Sequence, residues 1–121
     1  MRGLVVVAHG SRRAESNEEI RALTRKLADG AGEHYRHVEC AFLELAEPSI
    51  PDGLRNAISA GATEIVVLPY FLSAGRHVVT DIPVEVEKVR LESPSVSIII
   101  APYLGAAESL GDLLLDHAQQ P

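Results

Sequence analysis

The stretch LVVVAHGS, residues 4–11, opens with five apolar residues in a row and stops at a histidine followed by glycine and serine. A strand with one wet face alternates apolar and polar side chains. This one does not, so both of its faces are expected to be covered. Valine also favours extended backbone, because its branched Cβ packs well on a pleated surface. Similar short runs return as HVECAFLE (37–44), EIVVLPY (64–70) and VSIIIAP (96–102).

Helical spacing fills the intervals. A first helix is expected over Ser16–Asp29, with Ile20, Leu23 and Leu27 on one face and Gly30 and Gly32 as stops. A second spans about Ser49–Ser59, with Leu54 and Ile58 on one face, and closes at Gly61. The third takes Asp81 as N-cap, carries Pro83 in its first turn and ends before Pro94. The fourth covers about Ala106–His117 and carries Leu110, Leu113 and Leu114. Strand and helix in strict alternation predict an α/β fold, a four-stranded parallel sheet with helices on both faces. Alternation alone does not set the strand order; the usual order of a small doubly wound sheet is 2-1-3-4. In that order strands 1 and 3 are neighbours at the switch point, where a crevice opens beyond their carboxyl ends. His9 follows strand 1 and His77 lies in the loop after strand 3, so both should face that crevice.

The chain has 121 residues, 46% hydrophobic and 23% charged, which suits a single domain over 1–121. A net charge of −6 and a pI near 5.3 argue against nucleic acid or an anionic membrane as partner. No apolar run approaches the roughly 20 residues of a spanning helix, and the apolar run near the start is too short for a secretory signal. A cytoplasmic protein is expected. The lone Cys40 excludes an internal disulfide and reads as a buried packing thiol.

AHGSRR (8–13) has one glycine, so neither a dinucleotide fingerprint nor a phosphate loop is present. The same loop offers no flavin phosphate cradle and no acidic phosphorylation cluster, which argues against a flavodoxin-like domain. Ser11 lacks the G-x-S-x-G setting of a nucleophile and is expected to cap or precede the first helix. Imidazole and carboxylate remain. Glu44 and Glu47 fall near the end of strand 2; Glu44, taken as the last residue of a buried strand, is costly unless paired and so is the favoured acid. His9, His77 and Glu44 would make a borderline-soft site for a divalent first-row metal with positions left open. Arg12, Arg13 and Arg76, with helix N-termini, would form an anion-binding rim, so the expected ligand carries carboxylates. His34, His37 and His117 read as solvated.

Taken in order, VVVAHGSR (5–12) with SNEEI (16–20), FLELAEPSI (42–50) and LPYFLSAGRHVVTDIP (68–83) resemble the small sirohydrochlorin chelatases of the CbiX type. The resemblance implies a chelatase-like three-layer sandwich. It implies insertion of Co²⁺, or in relatives Fe²⁺ or Ni²⁺, into sirohydrochlorin on the way to cobalamin or siroheme, with the metal as substrate and no organic cofactor. His9 and His77 would be the catalytic, metal-contacting pair and Glu44 a third ligand, with Glu47 the other acid in view. Ser11, Arg12, Arg13 and Arg76 would face the carboxylate-fringed ring. Insertion exchanges two pyrrole protons for the metal, and imidazole can accept them at neutral pH. One four-stranded unit offers one wall of a cleft, so a homodimer is expected. The alternative is a carrier that binds metal or tetrapyrrole without turnover.

Overall fold

Val5, Val6 and Val7 have no exposed surface at all, as a strand covered on both faces requires. They belong to β1 (Arg2–Ala8), the second strand of a four-stranded sheet in a computed structural model that describes residues 1–120. The chain continues through α1 (Ala14–Ala31), β2 (His37–Phe42), α2 (Ile50–Ser59), β3 (Glu64–Pro69), α3 (Ile82–Glu92), β4 (Ser97–Ile100) and α4 (Leu110–Ala118). The order is β2-β1-β3-β4, and every pairing is parallel. Val5 lies opposite Glu39 on one side and Val67 on the other, and Val67 lies opposite Ile100.

Side chains alternate between the two faces of a strand, and the core divides accordingly. Val5, Val7, Ala41, Ile65, Val67 and Ile98 pack with residues of α2 and α3, among them Leu54, Ala57, Val86 and Val89. Leu4, Val6, Ala8, Cys40 and Phe42 form the other layer, against which Ile20 and Leu27 of α1 pack. Cys40 is buried, as expected. The helix α2 starts where Ser49 Oγ accepts from the Asp52 N–H at 3.2 Å and Pro51 occupies the first turn. It lies so close to the sheet that a Cβ at Gly53 would come within 2.9 Å of Ala41 Cβ. Arg55 joins α2 to α3 by donating to both carboxylate oxygens of Glu92, at 2.9 and 2.6 Å.

The structure departs from the sequence reading in four places. Asp81 is not an N-cap: the chain is already helical from His77, and Asp81 has φ −68° and ψ −43°. A π-helical turn, His77–Asp81, precedes α3, closed by the Ile82 N–H donating to His77 O. Pro83 supplies a reason, since its ring would clash with the carbonyl four residues back in a continuous α-helix and a wider turn relieves that contact. The fourth helix does not start at Ala106; a 3₁₀ turn at Leu104–Ala106 comes first, and α4 buries none of its residues. The strand β2 ends at Phe42, so Glu44 stands in the following loop with its side chain 54% exposed rather than in a buried strand. His37 is not simply solvated. It pairs with Glu39 at 2.7 Å, and Asn56 donates to the same carboxylate at 2.8 Å. Among the described residues no helix is long and apolar enough to cross a membrane.

Candidate active site

β1 and β3 are neighbours, so the segments that leave them lie side by side. The Tyr70 N–H donates to Val7 O at 2.8 Å, which carries the pairing one step past β3. On the other flank the Leu43 N–H donates to Ala8 O and the Glu44 N–H to His9 O, at 2.9 and 3.1 Å. These bonds draw the segment after β2 along His9. Gly10 follows with φ +93°, and a Cβ there would sit 1.7 Å from Glu44 O, so only glycine allows the two loops to touch. Leu45 also takes a left-handed φ of 66°, uncommon for so bulky a side chain, in the same tight turn.

The His9 ring has its Nδ1 2.9 Å from Gly10 O. A carbonyl can only accept, so Nδ1 carries the proton of the neutral ring and Nε2 presents a lone pair. That lone pair points at Glu44 Oε1, 3.2 Å away. Two acceptors at this separation need a proton or a cation between them. The spacing suits a metal, because two ligands each about 2.0–2.1 Å from a tetrahedral ion lie roughly 3.3 Å apart.

His77 opens the π-helical turn. Its Nδ1 donates to Asp81 Oδ2 at 2.9 Å, which leaves Nε2 free as a second lone pair. The wide turn brings these side chains, four residues apart, together. The His9 and His77 rings meet edge to face, centroids 4.7 Å apart and planes at 71°. The expected convergence of the two histidines is therefore present.

They border two openings of different character. A cavity of about 630 Å³ is bounded by both histidines and by Tyr70, Phe71, Leu72 and Ile20, so much of its wall is apolar. A smaller one of about 330 Å³ is bounded by Glu44, His77, Asp81, Glu85 and Arg76. His77 stands between them. Ser11 borders the larger cavity, and its Oγ accepts from the Arg13 N–H at 3.0 Å, so it turns the chain just ahead of α1. Arg12 and Arg13 do not line either opening; both are exposed, and Arg13 pairs with Glu15 at 3.2 Å. Arg76 is 80% exposed, 3.8 Å from Asp81. Glu47 also lies outside both openings, with its carbonyl taken by Arg21.

Among the described residues no three His, Cys, Asp or Glu side chains are arranged to hold a metal ion together. His9 and Glu44 could offer an ion a two-ligand seat, with His77 beside it. Such a seat is open by construction, with coordination positions left for another ligand.

Two residues of this site were missed in the sequence. Asp81 looks like a helix cap in the sequence, but its position four residues after His77 makes it a neighbour on a helical turn. Asn17, only 7% exposed, hydrogen-bonds the Ser11 backbone, a contact that no periodicity announces.

The family model described as CbiX matches residues 3–120. The chloroplastic sirohydrochlorin ferrochelatase of Arabidopsis thaliana is 39% identical over 117 residues, which are 97% of this chain and 51% of that protein. A sirohydrochlorin cobaltochelatase of Sulfolobus acidocaldarius is 32% identical over 120 residues, 99% of this chain and 92% of that one. Among solved structures, the sirohydrochlorin chelatase SirB from Bacillus subtilis subspecies spizizenii, in complex with cobalt, aligns with a TM-score of 0.80 at 29% identity. That alignment covers 98% of this chain and 50% of SirB. This chain thus spans about half the length of the Arabidopsis relative and of SirB, and most of the length of the Sulfolobus one.

Proposed function

Because this chain belongs to the CbiX family, we propose that it is a chelatase that inserts a divalent metal ion, Co²⁺ before Fe²⁺ or Ni²⁺, into sirohydrochlorin. The observation that carries this reading is the pair of imidazoles 4.7 Å apart at the mouth of a largely apolar cavity, one of them facing a carboxylate at 3.2 Å. Cobalt is favoured because the Sulfolobus relative, covered over 92% of its length, is a cobaltochelatase. Cobalamin synthesis is then the pathway we favour.

The reaction follows from the hydrogen bonds. The ion seats between His9 Nε2 and Glu44, with His77 Nε2 adjacent. The ring lies against Tyr70, Phe71 and Leu72 in the larger cavity. As the metal passes to the ring nitrogens, two pyrrole protons leave, and the Nε2 lone pair that the metal vacates is the nearest base. An imidazolium at His9 faces the Glu44 carboxylate, and one at His77 donates to Asp81, so each positive charge has its anion in place. Arg76 and the Ser11 loop meet the ring's outer carboxylates.

The same proposal includes a cytoplasmic homodimer, built by one unit over 1–121, in which a second copy supplies the other wall of the cleft. Leu45, Leu72, Val79, Leu113, Leu114 and Leu115 are each more than half exposed. Exposed large apolar side chains of this kind are what a partner's surface covers.

Incubating the protein with sirohydrochlorin and each metal, while following the visible spectrum, tests the reading. His9→Ala and His77→Ala should each lower kcat/KM for Co²⁺ by about 100-fold or more, within the range for a lost acid–base group. Parent-like rates in both variants would refute the assigned roles. Stoichiometric binding with no rate enhancement by the parent would make the protein a carrier.

A further inference from the structure

We propose that Asn17 is a positioning residue that sets which nitrogen of His9 is free. Its side chain clasps one residue from two sides: Asn17 Oδ1 accepts from the Ser11 N–H at 2.9 Å, and Asn17 Nδ2 donates to Ser11 O at 2.7 Å. Asn17 is 7% exposed and lies in the first turns of α1, a helix fixed on the sheet through Ile20 and Leu27. Ser11 is therefore tied to a rigid element.

The consequence reaches His9 through one residue. With Ser11 held and Gly10 at φ +93°, the Gly10 carbonyl sits 2.9 Å from His9 Nδ1. It accepts that proton, so the neutral ring keeps its hydrogen on Nδ1 and aims the Nε2 lone pair at Glu44. Release Ser11, and the Gly10 peptide can turn its carbonyl away. The proton is then free to sit on either nitrogen, and the form with Nε2–H cannot bind a metal through Nε2. An amide is needed here because one group must donate and the other accept. Aspartate has the same shape, but it would set a carboxylate oxygen against the Ser11 carbonyl at the 2.7 Å separation now bridged by a proton.

The test uses ¹⁵N-labelled parent, Asn17→Asp and Asn17→Ala. Two-bond imidazole ¹⁵N–¹H spectra report each histidine's tautomer, and Co²⁺ titration followed in the visible reports affinity. In the parent, His9 should carry a proton on Nδ1 whether the ring is neutral or, with a second proton between Nε2 and Glu44, charged. In the folded variants His9 should become a mixture while His77 keeps its signature, and the Co²⁺ Kd should rise by about 10- to 100-fold, as for other groups that orient a metal ligand. Should Asn17→Asp fail to fold, Asn17→Ser is read the same way, since its hydroxyl is too short to reach both Ser11 groups. Folded variants with the parent's His9 tautomer overturn the proposal, whether Co²⁺ affinity is kept or lost. The metal arm rests on the chelatase reading and the tautomer arm does not. A parent that inserts no metal but shows the tautomer change would sink that reading and leave this one standing.

Discussion

At the residue scale, the aim of each histidine is set by its backbone-side nitrogen. His9 has a carbonyl there and His77 a carboxylate, and both therefore offer Nε2 outward. The Asp81 carboxylate also holds the His77 ring in place and lies beside the positive charge that forms when Nε2 takes a proton. Asp81→Asn should thus weaken His77 without removing it. The amide can accept through its oxygen or, turned over, donate to Nδ1 and force the opposite tautomer. We expect kcat to fall by about 10- to 100-fold with the fold intact, in line with losses at other residues that orient functional imidazoles. Steady-state kinetics beside a thermal melt decides it, and an unchanged kcat would remove Asp81 from the mechanism. This pair was within reach of the sequence only in part. The spacing of His77 and Asp81 was visible, but two competing assignments, a loop and a helix cap, hid it.

Among the elements, the helices on the α2–α3 side are linked by a charged pair whose pH behaviour can be derived. Hydrogen bonds from Arg55 hold the Glu92 carboxyl below the usual carboxylate range, and the same contacts keep Arg55 protonated. A group whose pKa is depressed on folding adds stability above its unfolded pKa, about 4.3 for Glu, and loses it as pH falls through the folded value. Glu92→Gln should therefore melt below the parent at neutral pH, by at most a few °C because the pair is exposed. The gap should narrow below about pH 4 and close at lower pH. Melts across that range check it; a gap that persists undiminished in acid would mean that packing, not charge, links the helices. The π-helical turn ahead of α3 belongs to this scale too. Pro83 gave the signal, yet a proline in a first turn and a proline that widens a turn look alike until the residues before it are seen to be helical.

For the whole molecule, coverage of the sheet is uneven. One face carries α2 and α3, and α1 covers the β1 and β2 side of the other. Ile99 of β4 is left 59% exposed, and α4 keeps Leu113, Leu114 and Leu115 in solvent. Leu113 and Leu114 share one side of this helix with the half-buried Leu110, at i+3 and i+4 spacing, an apolar stripe of the kind that marks an interface. If a second copy covers it, Leu113→Glu should shift the protein from dimer to monomer in sedimentation, and insertion should fall by about tenfold or more in step, because the second wall is lost. A fully active monomer at assay concentration would end the dimer proposal.

The sequence by itself determined the sheet. Continuous β-branched runs suit strands buried on both faces, and alternation with helices makes the sheet parallel; the 2-1-3-4 order was expected only as the usual doubly wound arrangement, and it is the order the strands take. Adjacency of His9 and His77 followed from that order alone. What the tertiary structure decided is finer. It moved Glu44 out of the strand, separated Arg12 and Arg13 from the openings, exposed α4 and brought Asn17 onto Ser11. These depend on contacts between loops and on side-chain hydrogen bonds, which follow no period along the chain. Periodicity specifies which face is buried; only the folded backbone specifies what each loop touches.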